Sequence, residues 1–144
     1  AWNVPIAFMQ YLKRGEDFIT PEGEIVANEL LTVAPPPARS FAYMTDTLFR
    51  ERFADYVKGV DLLYHEATYM NADAVLAKES YHSTTGQAAH IAELAGVGKL
   101  LLGHFSARYT ECSELLAEAR EVFPNTFLCS DGDLFEVPAV KRRS

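Results

Sequence analysis

From residue 41 onward, short apolar runs alternate with stretches of helical period. Residues 40–44 (Ser-Phe-Ala-Tyr-Met) read as a strand, closed by Thr45-Asp46-Thr47. An amphipathic helix is predicted over residues 49–58, with Thr47 as its cap and Gly59 stopping it. Residues 61–65 (Asp-Leu-Leu-Tyr-His) form the next strand, apolar along most of its length. A helical segment follows over residues 73–79. Ser83 or Thr84 then caps a second helix running to Ala95, with Ile91, Leu94 and Ala95 turned inward. Gly96-Val97-Gly98 ends it, and residues 99–103 (Lys-Leu-Leu-Leu-Gly) make a third buried strand. Glu111 or Ser113 opens a helix through Val122, and Pro124-Asn125 turns the chain. Residues 126–129 and 134–137 finish as strands around Ser130-Asp131-Gly132-Asp133. Such alternation predicts an α/β layered domain, with polar groups at strand ends collected along one edge of the sheet.

Residues 1–40 lack this regularity. Residues 3–6 look extended, and residues 8–13 have room for one or two helical turns before Gly15. Residues 18–20 and 24–26 flank the turn signal Pro21-Glu22-Gly23, as two short strands would. Ala34-Pro35-Pro36-Pro37 cannot be helix interior and reads as a stiff connector. The organisation expected is therefore an irregular lead-in over 1–40, a βα portion over 41–138 and a basic tail over 139–144.

Composition narrows the classes. With 144 residues, 49% hydrophobic and 23% charged, the chain is the size of one globular domain. No apolar run approaches the ~20 residues needed to span a bilayer, so no membrane partner is expected. No signal peptide is visible, and the missing initiator Met suggests a piece of a longer protein. Cys112 and Cys129 show no ligand spacing and are expected as reduced thiols in a cytoplasmic protein. The net charge of −7 argues against broad attraction to nucleic acid, so a nucleic-acid substrate would need a basic surface from elsewhere.

Candidate chemistry lies at the strand ends. Asp46 is either a turn residue or a carboxylate ligand able to bridge two metal ions. His65 and Glu66 end an apolar strand. Either this is a structural histidine beside an exposed glutamate, or one of the two orients a second imidazole and fixes its tautomer. His82 precedes a helix start and needs a carboxylate partner if it is to donate a proton; Glu66 is the candidate. His104 follows three leucines and Gly103, whose lack of a side chain would let a metal or another backbone approach; ligand and core histidine both remain open. Ser106 and Arg108 follow on the same loop, where arginine suits phosphate. His90 reads as a packing or surface residue. There is no CxxC, HExxH, phosphate loop or nucleophile elbow.

Taken together, Met44-Thr45-Asp46-Thr47, His65-Glu66-Ala67-Thr68, His82-Ser83-Thr84 and residues 103–109 (Gly-His-Phe-Ser-Ala-Arg-Tyr) resemble the C-terminal half of ribonuclease Z. That family comprises the tRNA 3′-processing endonucleases of the metallo-β-lactamase superfamily. Residues 12–17 and Phe123-Pro124-Asn125 are similar to its flanking segments, so the likeness spans nearly the whole chain. The resemblance implies an α/β fold, the C-terminal half of a metallo-β-lactamase αββα sandwich. It implies Asp46 as the carboxylate bridging two zinc ions and His104 as a ligand of one of them. It also implies His82 as the group that protonates the departing 3′ oxygen, with Glu66 supporting it from the His65-Glu66 pair, and Ser106 and Arg108 beside the substrate phosphate. The implied reaction is hydrolysis of precursor tRNA by zinc-activated hydroxide in a homodimeric enzyme.

The departures from the family pattern are large. The His-x-His-x-Asp-His zinc motif, a further histidine ligand and the basic tRNA-gripping arm are absent from this sequence. The expectation is a fragment that holds half an active site, is silent alone and does not retain the two zinc ions. Another hydrolase of the superfamily, or a non-catalytic interaction fragment exposing its sheet, are the alternatives.

Overall fold

Four short parallel strands carry the order of the chain from residue 38 onward. The computed structural model describes residues 2–33 and 35–137. The residues 138–144, including the basic tail, and Ala34 of the proline connector lie outside that range. The strands are β3 (Phe41–Met44), β4 (Leu62–Glu66), β5 (Leu100–Gly103) and β6 (Thr126–Leu128), in spatial order β3-β4-β5-β6. Between them run α3 (Phe53–Tyr56), α4 (Ala74–Glu79), α5 (Thr85–Ala95) and α6 (Ser113–Val122). Parallel neighbours need such crossovers, because a tight turn cannot return the chain to the same end of the sheet.

Register fixes where the chemistry emerges. Met44 pairs with His65, and Glu66 pairs with Gly103. The segments that leave β3, β4 and β5 therefore start from one edge of the sheet, bringing Asp46, Thr68 and His104 there.

One face of the sheet is packed against helices. Leu63, Leu100 and Leu102 meet Ala88, Ile91, Ala92 and Ala95 of α5 and Ala119 of α6. Burying each of these leucine and isoleucine side chains contributes about 1.5–3 kcal/mol. The inward stripe of α5 is mostly alanine, which lets the helix lie close to the strands. That stripe is centred so that Leu94, predicted inward, is 51% exposed. The opposite face carries Phe41, Tyr43 and Phe127, all exposed.

Two further expectations change. The predicted helix over 49–58 is only the single turn α3, because Thr47 is not a cap. Its N–H donates to Glu66 (3.1 Å) and its carbonyl accepts from the Ser83 hydroxyl (2.6 Å), so the chain leaves β3 bound to the site instead. Residues 134–137 form no strand, and Leu134 is almost fully exposed; only the turn before them is present, with Asp133 N–H donating to Ser130 C=O at 3.1 Å. At the other end of the sheet, Asp61 ties β4 to β3. Its carboxylate accepts from Ser40 N–H (2.7 Å) and Oγ (2.8 Å), and these bonds hold its pKa below the usual carboxylate value.

The residues up to Pro37 form a separate unit. It contains α1 (Met9–Leu12), the hairpin β1 (Phe18–Ile19) and β2 (Ile25–Val26), and α2 (Asn28–Leu31), the last not anticipated. Leu12, Phe18 and Val26 form its small core. Asn28 explains α2: its amide donates to the carbonyls of Leu12 and Glu16 at 2.9 Å each, so the helix begins where that side chain is anchored.

The start of α5 is the most completely capped helix end. Thr84 Oγ1 accepts from Gln87 N–H (3.2 Å) while Gln87 Oε1 accepts from Thr84 N–H (3.0 Å). The same hydroxyl donates to Asn71 Oδ1 at 2.6 Å. Thr84→Ala removes both bonds from a buried position and is expected to cost about 1–2 kcal/mol in urea unfolding. A cost below about 0.3 kcal/mol would show that the cap does not hold this helix in place.

Candidate functional site

Glu66 is the last residue of β4 and is wholly buried. A carboxylate there must be surrounded by donors, because an unpaired buried charge costs several kcal/mol. It is surrounded. Oε1 accepts from Thr47 N–H (3.1 Å), Ser83 N–H (2.9 Å) and His82 Nδ1 (3.1 Å). Oε2 accepts from Thr68 N–H (3.0 Å) and Thr68 Oγ1 (2.8 Å). One side chain thus joins the segments after β3, after β4 and before α5.

Around it stand Asp46, His82 and His104. Each offers a ligand atom, and these atoms lie within 4.8 Å of one another. His104 Nε2 is 3.3 Å from Asp46 Oδ1, and His82 Nδ1 is 3.8 Å from the same oxygen. The two imidazole rings are 5.1 Å apart. Both Nδ1 atoms are engaged within the protein, His82 by Glu66 and His104 by Thr68 Oγ1 at 2.8 Å. Each ring therefore keeps Nε2 for chemistry. The His104 imidazole nitrogen and the Asp46 carboxylate oxygen are both donors that zinc accepts, so this pair fits part of the implied metal's ligand set, with the His82 ring beside it.

The backbone at these positions is unusual. Asp46 (φ 47°), Tyr81 immediately before His82 (φ 62°) and His104 (φ 61°) all adopt the left-handed region, as does Asn3 outside this site among the described residues. For a non-glycine residue that conformation costs roughly 1–2 kcal/mol, and such residues collect at functional sites. Here the turns aim side chains that continued strand geometry would carry away from the edge.

His65 is not brought to the cluster. Strand alternation sends it to the face opposite Glu66, where it is 1% exposed with Nδ1 donating to the Glu66 carbonyl at 2.6 Å. Burial lowers its pKa, against the smaller opposing pull of that carbonyl and carboxylate. The His65 ring, for which a part in the chemistry was expected, is thus held in the interior by the Glu66 carbonyl and is not among the side chains gathered with Asp46, His82 and His104. Gly103 is also corrected. The space beside it is taken by Tyr64, whose hydroxyl would lie 2.5 Å from an added Cβ. That hydroxyl's pKa is pushed up to about 12, chiefly by burial.

Ser106 and Arg108 lie on the loop after β5, clamped to the 69–73 segment. Tyr109 Oη donates to Asp73 (2.5 Å) and accepts from Met70 N–H (3.0 Å). The Tyr109 hydroxyl and, less strongly, the Arg108 guanidinium hold the Asp73 carboxyl below its usual range. Arg108 pairs with Asp73 at 3.2 Å and lies over the Tyr69 ring at 5.4 Å. Its guanidinium is thus held by a carboxylate. Tyr109, Asp73 and Thr68 carried no assigned role in the sequence, and Ser83 was expected only as a candidate helix cap. For Thr68 the signal was available: it is two residues from Glu66, hence on the same side of an extended chain.

A model of the beta-lactamase superfamily domain matches residues 12–105. The chain belongs to that superfamily. Among relatives, the ribonuclease Z of Bacteroides fragilis (strain YCH46) is 49% identical over 130 residues, covering 90% of this chain and 43% of that protein. The ribonuclease Z of Phocaeicola vulgatus is 40% identical over 140 residues, covering 97% of this chain and 45% of that protein. The chain therefore spans less than half the length of the relatives it matches. Superfamily structures agree in fold. The metallo-beta-lactamase fold protein YhfI of Bacillus subtilis aligns with a TM-score of 0.64 at 25% identity over 69% of this chain and 40% of its own. Human tRNase Z, short form, aligns with a TM-score of 0.54 at 28% identity over 79% of this chain and 37% of its own. Among the described residues, no helix is long and apolar enough to cross a membrane, and Cys112 and Cys129 are free.

Two predictions test these assignments. An unfolded histidine takes up a proton as pH falls through about 6.5, whereas buried His65 does so only at lower pH. Its contribution to stability is thus full above about pH 6.5 and is lost as pH falls towards the folded-state value. Denaturation at pH 7.5 and 5.5 should show a smaller pH dependence in His65→Gln than in the unchanged protein; equal dependences would contradict this. Tyr81→Gly should leave stability unchanged or raise it by up to about 1 kcal/mol, since glycine relieves the left-handed strain at an exposed position. A loss exceeding about 1 kcal/mol would mean that the Tyr81 ring contributes more than the strain costs.

Proposed function

We propose that this chain supplies the proton-donating half of a zinc-dependent endoribonuclease site that removes 3′ trailers from tRNA precursors. The observation that carries the reading is the pairing of His82 with buried Glu66, beside the ligand-like pair Asp46 and His104. The ribonuclease Z relatives support the choice of substrate, and the fold supports a hydrolase of this superfamily.

In this reading Glu66 holds Nδ1–H of His82, so Nε2 points outward and can deliver a proton to the departing 3′ oxygen. The carboxylate stabilises the imidazolium before transfer and fixes the ring's direction throughout. Asp46 and His104 would hold zinc, with the remaining ligands coming from residues outside this chain. Zinc would supply Lewis-acid stabilisation of charge on the scissile phosphate. The left-handed turns at Asp46 and His104 let both side chains face one point. Arg108, released from Asp73 or shared with it, would meet a phosphate near the reacting one, and Ser106 would contribute a hydroxyl. The homodimeric, cytoplasmic enzyme implied by the resemblance belongs to the same reading.

The test is His82→Ala in the whole protein. Cleavage of a tRNA precursor should fall by about 10²–10⁴-fold, the usual worth of a positioned general acid, while bound zinc is unchanged. Loss of zinc along with activity would make His82 a ligand instead. Undiminished cleavage would remove it from the mechanism.

A further inference from the structure

We propose that Thr68 is a positioning residue that sets the tautomer of His104 and thereby presents Nε2 as a bare acceptor to the metal. This deepens the functional reading above and rests on its assignment of His104 as a ligand.

The number of protons available fixes the direction of each bond around Thr68 Oγ1. Thr68 Oγ1 lies 2.8 Å from Glu66 Oε2 and 2.8 Å from His104 Nδ1. A hydroxyl has one proton to give and can accept through its oxygen. A carboxylate can only accept, so the Thr68 proton goes to Glu66. The bond to His104 must then run the other way, with Nδ1–H donating to Oγ1. In a neutral imidazole only one nitrogen carries a proton, so Nε2 is left with its lone pair. That atom is the one 3.3 Å from Asp46 Oδ1.

The geometry leaves the hydroxyl little choice. Thr68 is 7% exposed, and its N–H also donates to Glu66 Oε2, so backbone and side chain grip the same oxygen. Glu66 in turn has its other oxygen filled by Thr47, Ser83 and His82. A single buried carboxylate therefore orients both histidines, His82 directly and His104 through one hydroxyl. Valine at 68 would keep the shape and remove the link. Serine would keep the link.

The experiment is long-range ¹H–¹⁵N correlation of histidine nitrogens in the 144-residue chain without metal, at about pH 8, above the ordinary imidazole range. His104 should show Nδ1 protonated and Nε2 bare. In Thr68→Val it should shift towards the Nε2–H form that free imidazoles favour in water, while the His82 pattern stays and reports an intact site. Thr68→Ser should restore the original pattern. If Thr68→Val loses the His82 pattern as well, the unchanged chain and Thr68→Ser decide alone. Nε2–H on His104 in either overturns the proposal, as does Nδ1–H persisting in an intact Thr68→Val. In the whole protein, zinc affinity should fall about 10–100-fold in Thr68→Val and by less than about threefold in Thr68→Ser, the range for lost outer support of a ligand. Equal zinc affinities in all three also overturn it. These readouts do not depend on RNA cleavage, so failure of the ribonuclease reading would be seen separately in the His82→Ala assay.

Discussion

The buried carboxylate of Glu66 is the constraint on which the rest of the site depends. Placed at the end of a central strand and excluded from water, it is tolerable only with its acceptor sites filled. The fold fills them with backbone N–H groups of Thr47, Thr68 and Ser83, the Thr68 hydroxyl and the His82 ring. These partners come from three loops, after β3, after β4 and before α5, so satisfying one charge also fixes the mutual positions of three segments. The histidines inherit their directions from that arrangement. Structural necessity and chemical orientation are here the same set of hydrogen bonds.

The second constraint is parallel pairing. Because β3, β4 and β5 run the same way in matched register, their C-terminal ends meet at one edge. The edge alone is insufficient, since strand alternation would send half the side chains to the wrong face. Left-handed turns at Asp46 and His104 solve this at an energetic cost, and burial of the leucine and alanine core beneath offsets it. Strain sits where ligands are aimed, and the apolar packing sits one layer below.

Much of this was legible in the chain. The strands ending at residues 44 and 103, the helices over 85–95 and 113–122, and the gathering of Asp46, Glu66, His82 and His104 at one edge follow from periodicity and capping residues. The errors have particular causes. Thr47 looks like a helix cap because threonine before an amphipathic run usually is one, but here its backbone serves Glu66 and Ser83. Leu94 looks inward by hydrophobicity, but α5 turns its alanines to the sheet. Residues 134–137 have strand composition and no partner to pair with among the described residues. Gly103 suggested room for a metal, yet Tyr64 from the neighbouring strand takes the space.

By itself, the sequence determined the kind of molecule: alternating strands and helices with acids and histidines at the strand ends. That information is local, carried by spacing, turn residues and short motifs. Only the tertiary structure decided between neighbours one residue apart. His65 and Glu66 are adjacent in the same motif, yet one is buried on the face of β4 that carries Leu63 and the other becomes the centre of the site. The difference is a matter of which face of β4 meets α5, and that depends on contacts between segments far apart in the chain. The same is true of Thr68, whose hydroxyl acquires a role only when β5 delivers His104 beside it.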